Sequence, residues 1–356
     1  MTAARTVLLL ALAVAAGAAT AWLLARAEAA GAAVAWLTEA GARLEREALS
    51  LDALAAEVID PVLAVRNVDD LPVAGGHPAH DVLLALLSAS PHLDAAFLGF
   101  GSGDVLRVHD LRAFTDAARD AAGAPAGAAF ESFWTWDIRP DDPLEGHGRW
   151  VYRDDALAVT EERAELEPRF DARGHLWYAQ GSNAEPPAAG AIHALSSSGR
   201  PGFVLTAPLP GPRRSVLAFH VSATWFDAAL RESLAGLDRP AAAAVQAGGR
   251  LVAVAGADKP AFESGLRAAL AAVDPAGGGF APAVVPAGGG RVAAAAVPLP
   301  ATFGEGPTLL LLSVPVSAFQ RTGPASIAAG LGVAAVFLVL GWGASFAFRR
   351  GRLANP

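Results

Sequence analysis

Phe203-Val204-Leu205-Thr206-Ala207-Pro208-Leu209-Pro210 runs into Ser215-Val216-Leu217-Ala218-Phe219-His220-Val221, then Ser222-Ala223-Thr224-Trp225-Phe226. The same plan returns further along. Residues 292–296 lead into Val297-Pro298-Leu299-Pro300, then Thr308-Leu309-Leu310-Leu311-Leu312-Ser313-Val314 and Pro315-Val316-Ser317-Ala318-Phe319. Each copy reads as a strand, a Pro-Leu-Pro turn, a strongly apolar strand and an aromatic-tipped exit into a helix. Self-similarity of this kind marks a repeated unit, so two α+β subdomains of one plan are expected in series. A strand apolar at every position has no solvated face, which places it at the centre of an antiparallel sheet. Residues 225–237 read as the helix that links the copies.

Upstream of each copy lies a hairpin signature. Ala95-Ala96-Phe97-Leu98-Gly99-Phe100 is apolar, Gly101-Ser102-Gly103-Asp104 is a turn, and Val105-Leu106-Arg107-Val108 resumes a strand. The device recurs as Ala243-Ala244-Val245-Gln246, Gly248-Gly249 and Arg250-Leu251-Val252-Ala253-Val254. Both fit strand–turn–strand chemistry. Nearer the N-terminus, Trp36, Leu37, Leu44, Leu51, Leu54 and Val58 recur near helical spacing among charged residues. They predict one long helix reaching to about Leu63, interrupted by Pro61. A second helix is expected at residues 82–87.

The two ends are apolar. Residues 7–25 carry no charge and would rise roughly 28 Å as a helix, close to the thickness of a bilayer core. Ala27-Glu28-Ala29 leaves a cleaved signal peptide open as the alternative. Residues 327–348 form a second uncharged run, closed by Arg349, Arg350 and Arg352. Each arginine would cost about 2.5–3.5 kcal/mol at the bilayer centre. The positive-inside rule puts that end and Arg5 in the cytoplasm and everything between the spans outside. Gly330, Gly332, Gly341 and Gly343 fit close helix pairing and equally a generic small-residue span.

Composition narrows the function. The chain has 356 residues, a formal net charge of −8 and no cysteine. Without cysteine there is no disulfide, thiolate catalysis or Cys-ligated metal. Without a basic patch there is nothing to neutralise phosphates, so nucleic acid is excluded as a partner. His77-Pro78-Ala79-His80-Asp81 carries metal-capable side chains, but a zinc site needs further ligands. Gly99-Phe100-Gly101-Ser102-Gly103 lacks the ending of a phosphate loop and the spacing of a nucleophile elbow. The acidic stretch Asp154, Asp155, Glu161, Glu162, Glu165 and Glu167 reads as a solvated loop or helix face. No catalytic constellation stands out, so no enzyme activity and no cofactor are expected. A membrane-tethered hydrolase and a structural, partner-binding ectodomain are the rival readings.

Arg169-Phe170-Asp171-Ala172-Arg173-Gly174-His175-Leu176-Trp177-Tyr178 resembles the Asp-Pro-Arg-x-Arg-Pro-Trp-Tyr segment of the double Cache family of bacterial extracytoplasmic sensors. Ser313-Val314-Pro315-Val316-Ser317-Ala318-Phe319 resembles that family's closing strand and exit before the second span. The resemblance implies an α+β fold: a long N-terminal stalk helix and two PAS-like antiparallel-sheet Cache subdomains, flanked by two transmembrane helices. The boundaries it implies are 1–26 for the first span, 27–64 for the stalk and 65–222 for the membrane-distal subdomain. The proximal subdomain then takes 223–323, the second span 324–348 and a cytoplasmic stub 349–356. It further implies a two-pass protein of the bacterial inner membrane, periplasmic over 27–323. A small-molecule ligand, a homodimer and a cytoplasmic signalling partner are the implied associations. Arg352-Leu353-Ala354-Asn355-Pro356 resembles the start of a HAMP linker, which implies a signalling output beyond it.

The chain departs from the family where amino-acid-binding members hold their ligand. The second arginine of the motif falls on His175 and its proline on Leu176. The later Tyr-x-Asp segment corresponds to Ala191-Ile192-His193-Ala194-Leu195. These changes argue against an amino-acid ligand. The densest aromatic region is Trp134, Trp136, Trp150, Tyr152, Trp177 and Tyr178, with Asp137, Arg173, His175 and His193 as polar candidates. Aromatic walls with few polar groups suit a small amphipathic or cationic ligand, and packing of core and lid is the competing use. Arg173 either clamps a carboxylate in a bidentate pair or bridges to Asp171 or Glu167.

Overall fold

The computed structural model describes residues 2–47, 50–138, 146–165, 170–183, 187–237, 241–247, 250–256, 280–287, 290–299 and 308–320, with a few helical positions between 328 and 336. Helix α1 (Thr2–Glu47) is continuous through the first apolar run and into the stalk. The expected single helix to Leu63 is divided. Ser50 caps a new helix, α2 (Leu51–Val58), its hydroxyl accepting from the Ala53 amide. Pro61 then opens the short α3 (Asp60–Leu63), where proline's missing amide costs nothing. Among the described residues no helix is long and apolar enough to cross a membrane. The side chains of residues 1–12 and most of residues 327–348 lie outside the described residues, as does the stub at 349–356.

Helix α4 (His80–Ala89) leads into the first sheet. Its strands are β1 (Leu93–Gly99), β2 (Val105–Asp110), β3 (Phe130–Trp136), β4 (His147–Arg153), β5 (Val159–Glu165), β6 (Ala188–Ala189), β7 (His193–Ala194), β8 (Pro201–Pro208) and β9 (Val216–Ser222). The order is β5-β4-β3-β2-β1-β9-β8-β6, with β7 also on β8. Helix α5 (Asp116–Ala121) lies between β2 and β3, and α6 (Leu176–Asn183) between β5 and β6. The acidic stretch read as a loop or helix face is in part the edge strand β5. Its charges do what charges on a sheet edge do, discouraging pairing with another chain.

Helix α7 (Thr224–Ala235) crosses to the second sheet. Its strands are β10 (Ala242–Ala247), β11 (Arg250–Gly256), β12 (Phe280–Ala287), β13 (Gly290–Pro298) and β14 (Leu309–Pro315), in the order β11-β10-β14-β13-β12. The two sheets share one local order: a hairpin, then the apolar strand, then the strand before the Pro-Leu-Pro turn. β9 lies between β1 and β8, and β14 lies between β10 and β13. Every residue of β9 is buried, as its composition requires. The aromatic exits differ: the first is α7, the second only a short 3-10 turn, Val316–Phe319.

One core joins both sheets. It takes Leu83 and Leu87 from α4, Leu98, Leu106, Phe130, Phe203 and Phe219 from the first sheet, and Leu310 and Leu312 from the second. α1 feeds it with Ala29, Ala33, Leu37 and Leu44, a single helical face. The alanines of β13 let α1 approach closely; a Cβ on Gly41 would lie 3.2 Å from Leu312 and 3.3 Å from Val297. The opposite face of the first sheet has a separate core, which carries the candidate site.

Candidate functional site

Alternation along the strands sends Phe97, Arg107, His109, Glu131, Phe133, Trp150 and His220 to the sheet face away from α4. The register places Arg107 opposite Phe133 and His109 opposite Glu131. Phe133 in turn faces Trp150 across β3 and β4. The segment from Phe170 through α6 covers this face. A Cβ on Gly99 would lie 2.5 Å from Trp177, 2.9 Å from Ala172 and 3.0 Å from Tyr178, so α6 seats directly on the strand. The cover is tied at both ends. The Ala172 amide donates to the Gly103 carbonyl at 3.1 Å, and the Tyr178 hydroxyl donates to the Arg214 carbonyl at 2.6 Å.

Arg107 is the centre of the site. Its guanidinium carbon lies 4.9 Å from the Trp150 ring, 5.2 Å from Phe133 and 6.0 Å from Phe170. Stacking of this kind is worth about 0.5–2 kcal/mol per pair, more when dry. Its Nη2 donates to Glu131 Oε1 at 2.7 Å. Glu131 is 1% exposed. Burial disfavours its charge, but His109 and the Arg107 cation outweigh that and hold the carboxyl down at about 2. His109 Nδ1 lies 3.2 Å from the same oxygen, without the alignment of a hydrogen bond. Burial, with Arg107 nearby, pushes the His109 pKa down. Burial likewise holds His220 at about 3, its Nδ1 2.8 Å from Ser197 Oγ.

Rings frame these groups. Phe97 packs 4.7 Å from His220, 5.4 Å from Trp177 and 5.7 Å from His109. Phe133 and Trp150 are 4.3 Å apart, and His175 stacks on Phe170 at 4.4 Å and 18°. Three buried polar atoms of this site have no hydrogen-bond partner among the described residues: Arg107 Nε, Glu131 Oε2 and His109 Nδ1. Each such atom costs about 1–3 kcal/mol or more, a cost a bound molecule would relieve.

Of the residues singled out from sequence, Trp150, His175, Trp177 and Tyr178 come together here, with Tyr152 beside Trp150 at 6.4 Å. Trp134 and Trp136 lie on the other face of the sheet, where the Trp134 Nε1 donates to the Val73 carbonyl at 3.1 Å. Asp137 sits in the turn after β3 with φ 60°. Arg173 pairs with Asp171, its Nε 2.9 Å from Oδ1 and Nη2 2.6 Å from Oδ2. Glu167, the other partner considered for it, lies outside the described residues. His193 is exposed on β7. Sequence reading passed over Arg107, His109, Glu131 and His220. Their signal was a charged or imidazole side chain inside an otherwise apolar strand, and a buried polar group is the informative exception. Among the described residues no cluster of three or more metal-ligating side chains occurs.

No family model matches the chain. Over 125 residues it is 28% identical to Adenylate cyclase 1 of Rhizobium meliloti (strain 1021), covering 35% of this chain and 18% of that protein. The chain therefore spans under a fifth of the length of that relative. Among solved structures it is similar to the sensory domain of the Campylobacter jejuni chemoreceptor Tlp3 with isoleucine bound. That match has a TM-score of 0.47 and 7% identity, covering 84% of this chain and 98% of that one. It is similar to the ligand-binding domain of the Pseudomonas fluorescens chemoreceptor CtaA with L-serine, at TM-score 0.43 and 12% identity over 80% and 97% of the two chains. It is also similar to the ligand-binding domain of the Pseudomonas aeruginosa PAO1 amino acid chemoreceptor PctC with GABA, at TM-score 0.41 and 14% identity over 79% and 99%. The chain resembles double Cache sensory domains.

Proposed function

We propose that this chain is a membrane-anchored extracytoplasmic sensor that binds a small molecule on the covered face of its first sheet. The observation that carries the reading is the Arg107–Glu131 pair: buried, boxed by aromatic rings and left with one unpartnered donor and one unpartnered acceptor. Residues 65–222 are the distal, ligand-binding subdomain and residues 223–323 the proximal one. Residues 7–25 and 327–348 are the two spans, and the part between them is periplasmic. The ligand favours one seating of α6 on the sheet, and the shared core and α1 carry the change toward the spans. Transmission requires that the ligand bind the two arrangements with different affinity; coupling of about 1–3 kcal/mol is typical. The chain acts as a homodimer and carries no catalytic site of its own. The similarity to an adenylate cyclase supports nucleotide cyclisation as the class of output it serves.

Thermal shift of the full chain in detergent, against a library of organic acids, amines, amino acids, heterocyclic bases and sugars, tests the reading. A ligand at 100 times its Kd adds about 2.7 kcal/mol. The expected result is a hit that weakens at least tenfold in Trp150→Ala. A silent library would favour a partner-binding ectodomain instead.

A further inference from the structure

The two charges of the site are spent on each other. Arg107 donates to Glu131 at 2.7 Å, and Glu131 has almost no access to solvent. A zwitterionic amino acid needs a free cation for its carboxylate and a free carboxylate for its amine. Recruiting Arg107 for the carboxylate would strand a buried Glu131, recruiting Glu131 for the amine would strand Arg107, and breaking a buried pair is strongly unfavourable. The other polar groups facing the site, His109, His175 and His220, are imidazoles whose burial disfavours the charged form. The site as a whole offers no net charge to a ligand.

Its remaining capacity is one donor, one acceptor and the unpartnered His109 Nδ1 inside a set of rings. Arg107 Nε has an N–H with nowhere to go, and Glu131 Oε2 has lone pairs with no donor, among the described residues. Phe133, Trp150, Phe170 and Trp177 present the π faces. We infer, on the reading that this face is the ligand site, that it takes an uncharged, planar heteroaromatic whose edge carries an N–H beside a carbonyl, as the lactam edge of a purine or pyrimidine does. The carbonyl accepts from Arg107 Nε, the ring N–H donates to Glu131 Oε2, and the ring lies among the aromatic side chains. The unpartnered atoms of both charged groups are then satisfied without breaking the ion pair.

The probes are hypoxanthine, uracil and 1-methylhypoxanthine, compared with L-leucine, L-serine and GABA, by calorimetry on the full chain in detergent. Hypoxanthine or uracil is expected to bind and the three amino acids to give no heat. Methylation at N1 removes the donor and obstructs the edge, so 1-methylhypoxanthine is expected to bind at least tenfold more weakly. A site built to hydrogen-bond one edge rejects analogues lacking it by such factors or more. This comparison needs no variant and so survives if substitutions in the site fail to fold. Trp150→Leu, checked for folding by circular dichroism, is expected to weaken the base tenfold or more. Amino-acid binding that is lost in Trp150→Leu would overturn the ligand class and leave the sensor reading standing. Equal affinity for hypoxanthine and its N1-methyl form, or base binding indifferent to Trp150, would overturn the assigned edge or the assigned site. Silence from all six probes, with another metabolite bound, would also overturn the class alone.

Discussion

His220 is one of several buried imidazoles that together set the pH response of this fold. It is 3% exposed on β9, held neutral by burial with a pKa near 3, while Phe97 packs on its ring and His109 and Arg107 lie close by. The unfolded chain takes up that proton near 6.5. Between those values the unfolded state binds more protons, so stability falls as pH drops. Glu131 acts lower. Its folded pKa is near 2 against 4.5 when free, so its contribution is present above 4.5 and lost as pH falls toward 2. His220→Gln is therefore expected to make the stability curve less steep between pH 6.5 and 4.5. Urea denaturation at a series of pH values reads this directly. An unchanged slope would mean that His220 is solvated in the folded chain. At this scale aromatic density in the sequence located Trp150, Trp177 and Tyr178. It did not separate Phe133 from Trp134, adjacent residues on opposite faces of one strand. Which face is covered by α6 depends on contacts far away in the chain.

The element on which the site depends is α6. It has only eight residues and an apolar side of two large rings, too short to be stable alone. Its position comes from contact with β1 and β9. Gly99 makes that contact possible, because any side chain there meets Trp177 and Ala172. Gly99→Ala is expected to lift α6 from the sheet, cost about 1–3 kcal/mol by overpacking and reduce ligand affinity at least tenfold. Tryptophan fluorescence and calorimetry on the same sample check both parts. Full affinity in the variant would place the ligand elsewhere. Hairpins, the central strands and α7 were legible because their cues are local: turn glycines, apolar runs and helical spacing. β4 and the edge strand β5 were not. β4 drew no strand reading, and the charges of β5 read as a solvated loop or helix face until pairing with β3 and β4 in turn gives each backbone a partner.

Over the whole molecule, α1 is the one described element that runs from the first apolar segment to the second sheet. Trp36 meets Phe319 at 6.1 Å, so α1 also touches the turn that precedes the second apolar run. A ligand beneath α6 is expected to slow hydrogen exchange in β13 and β14 as well as in β1 and β9. Gly41→Leu, which forces α1 away from Leu312 and Val297, is expected to abolish the distant protection while leaving the local one. Distant protection that survives this substitution would route the coupling through α7 instead.

The repeat around Pro208 and Pro298, the apolar central strands and the uncharged runs at either end are all written in local order. Periodicity and turn chemistry carry them, and one chain suffices to read them. The site is of another kind. Arg107 and Glu131 come from the neighbouring strands β2 and β3, but His220 comes from β9, far along the chain, and Trp177 arrives from a helix between two other strands. Their meeting depends on register, on strand order and on which face stays covered. Those are properties of pairing between distant segments: a charged side chain inside an apolar strand marks each residue locally, but nothing local says which of them meet.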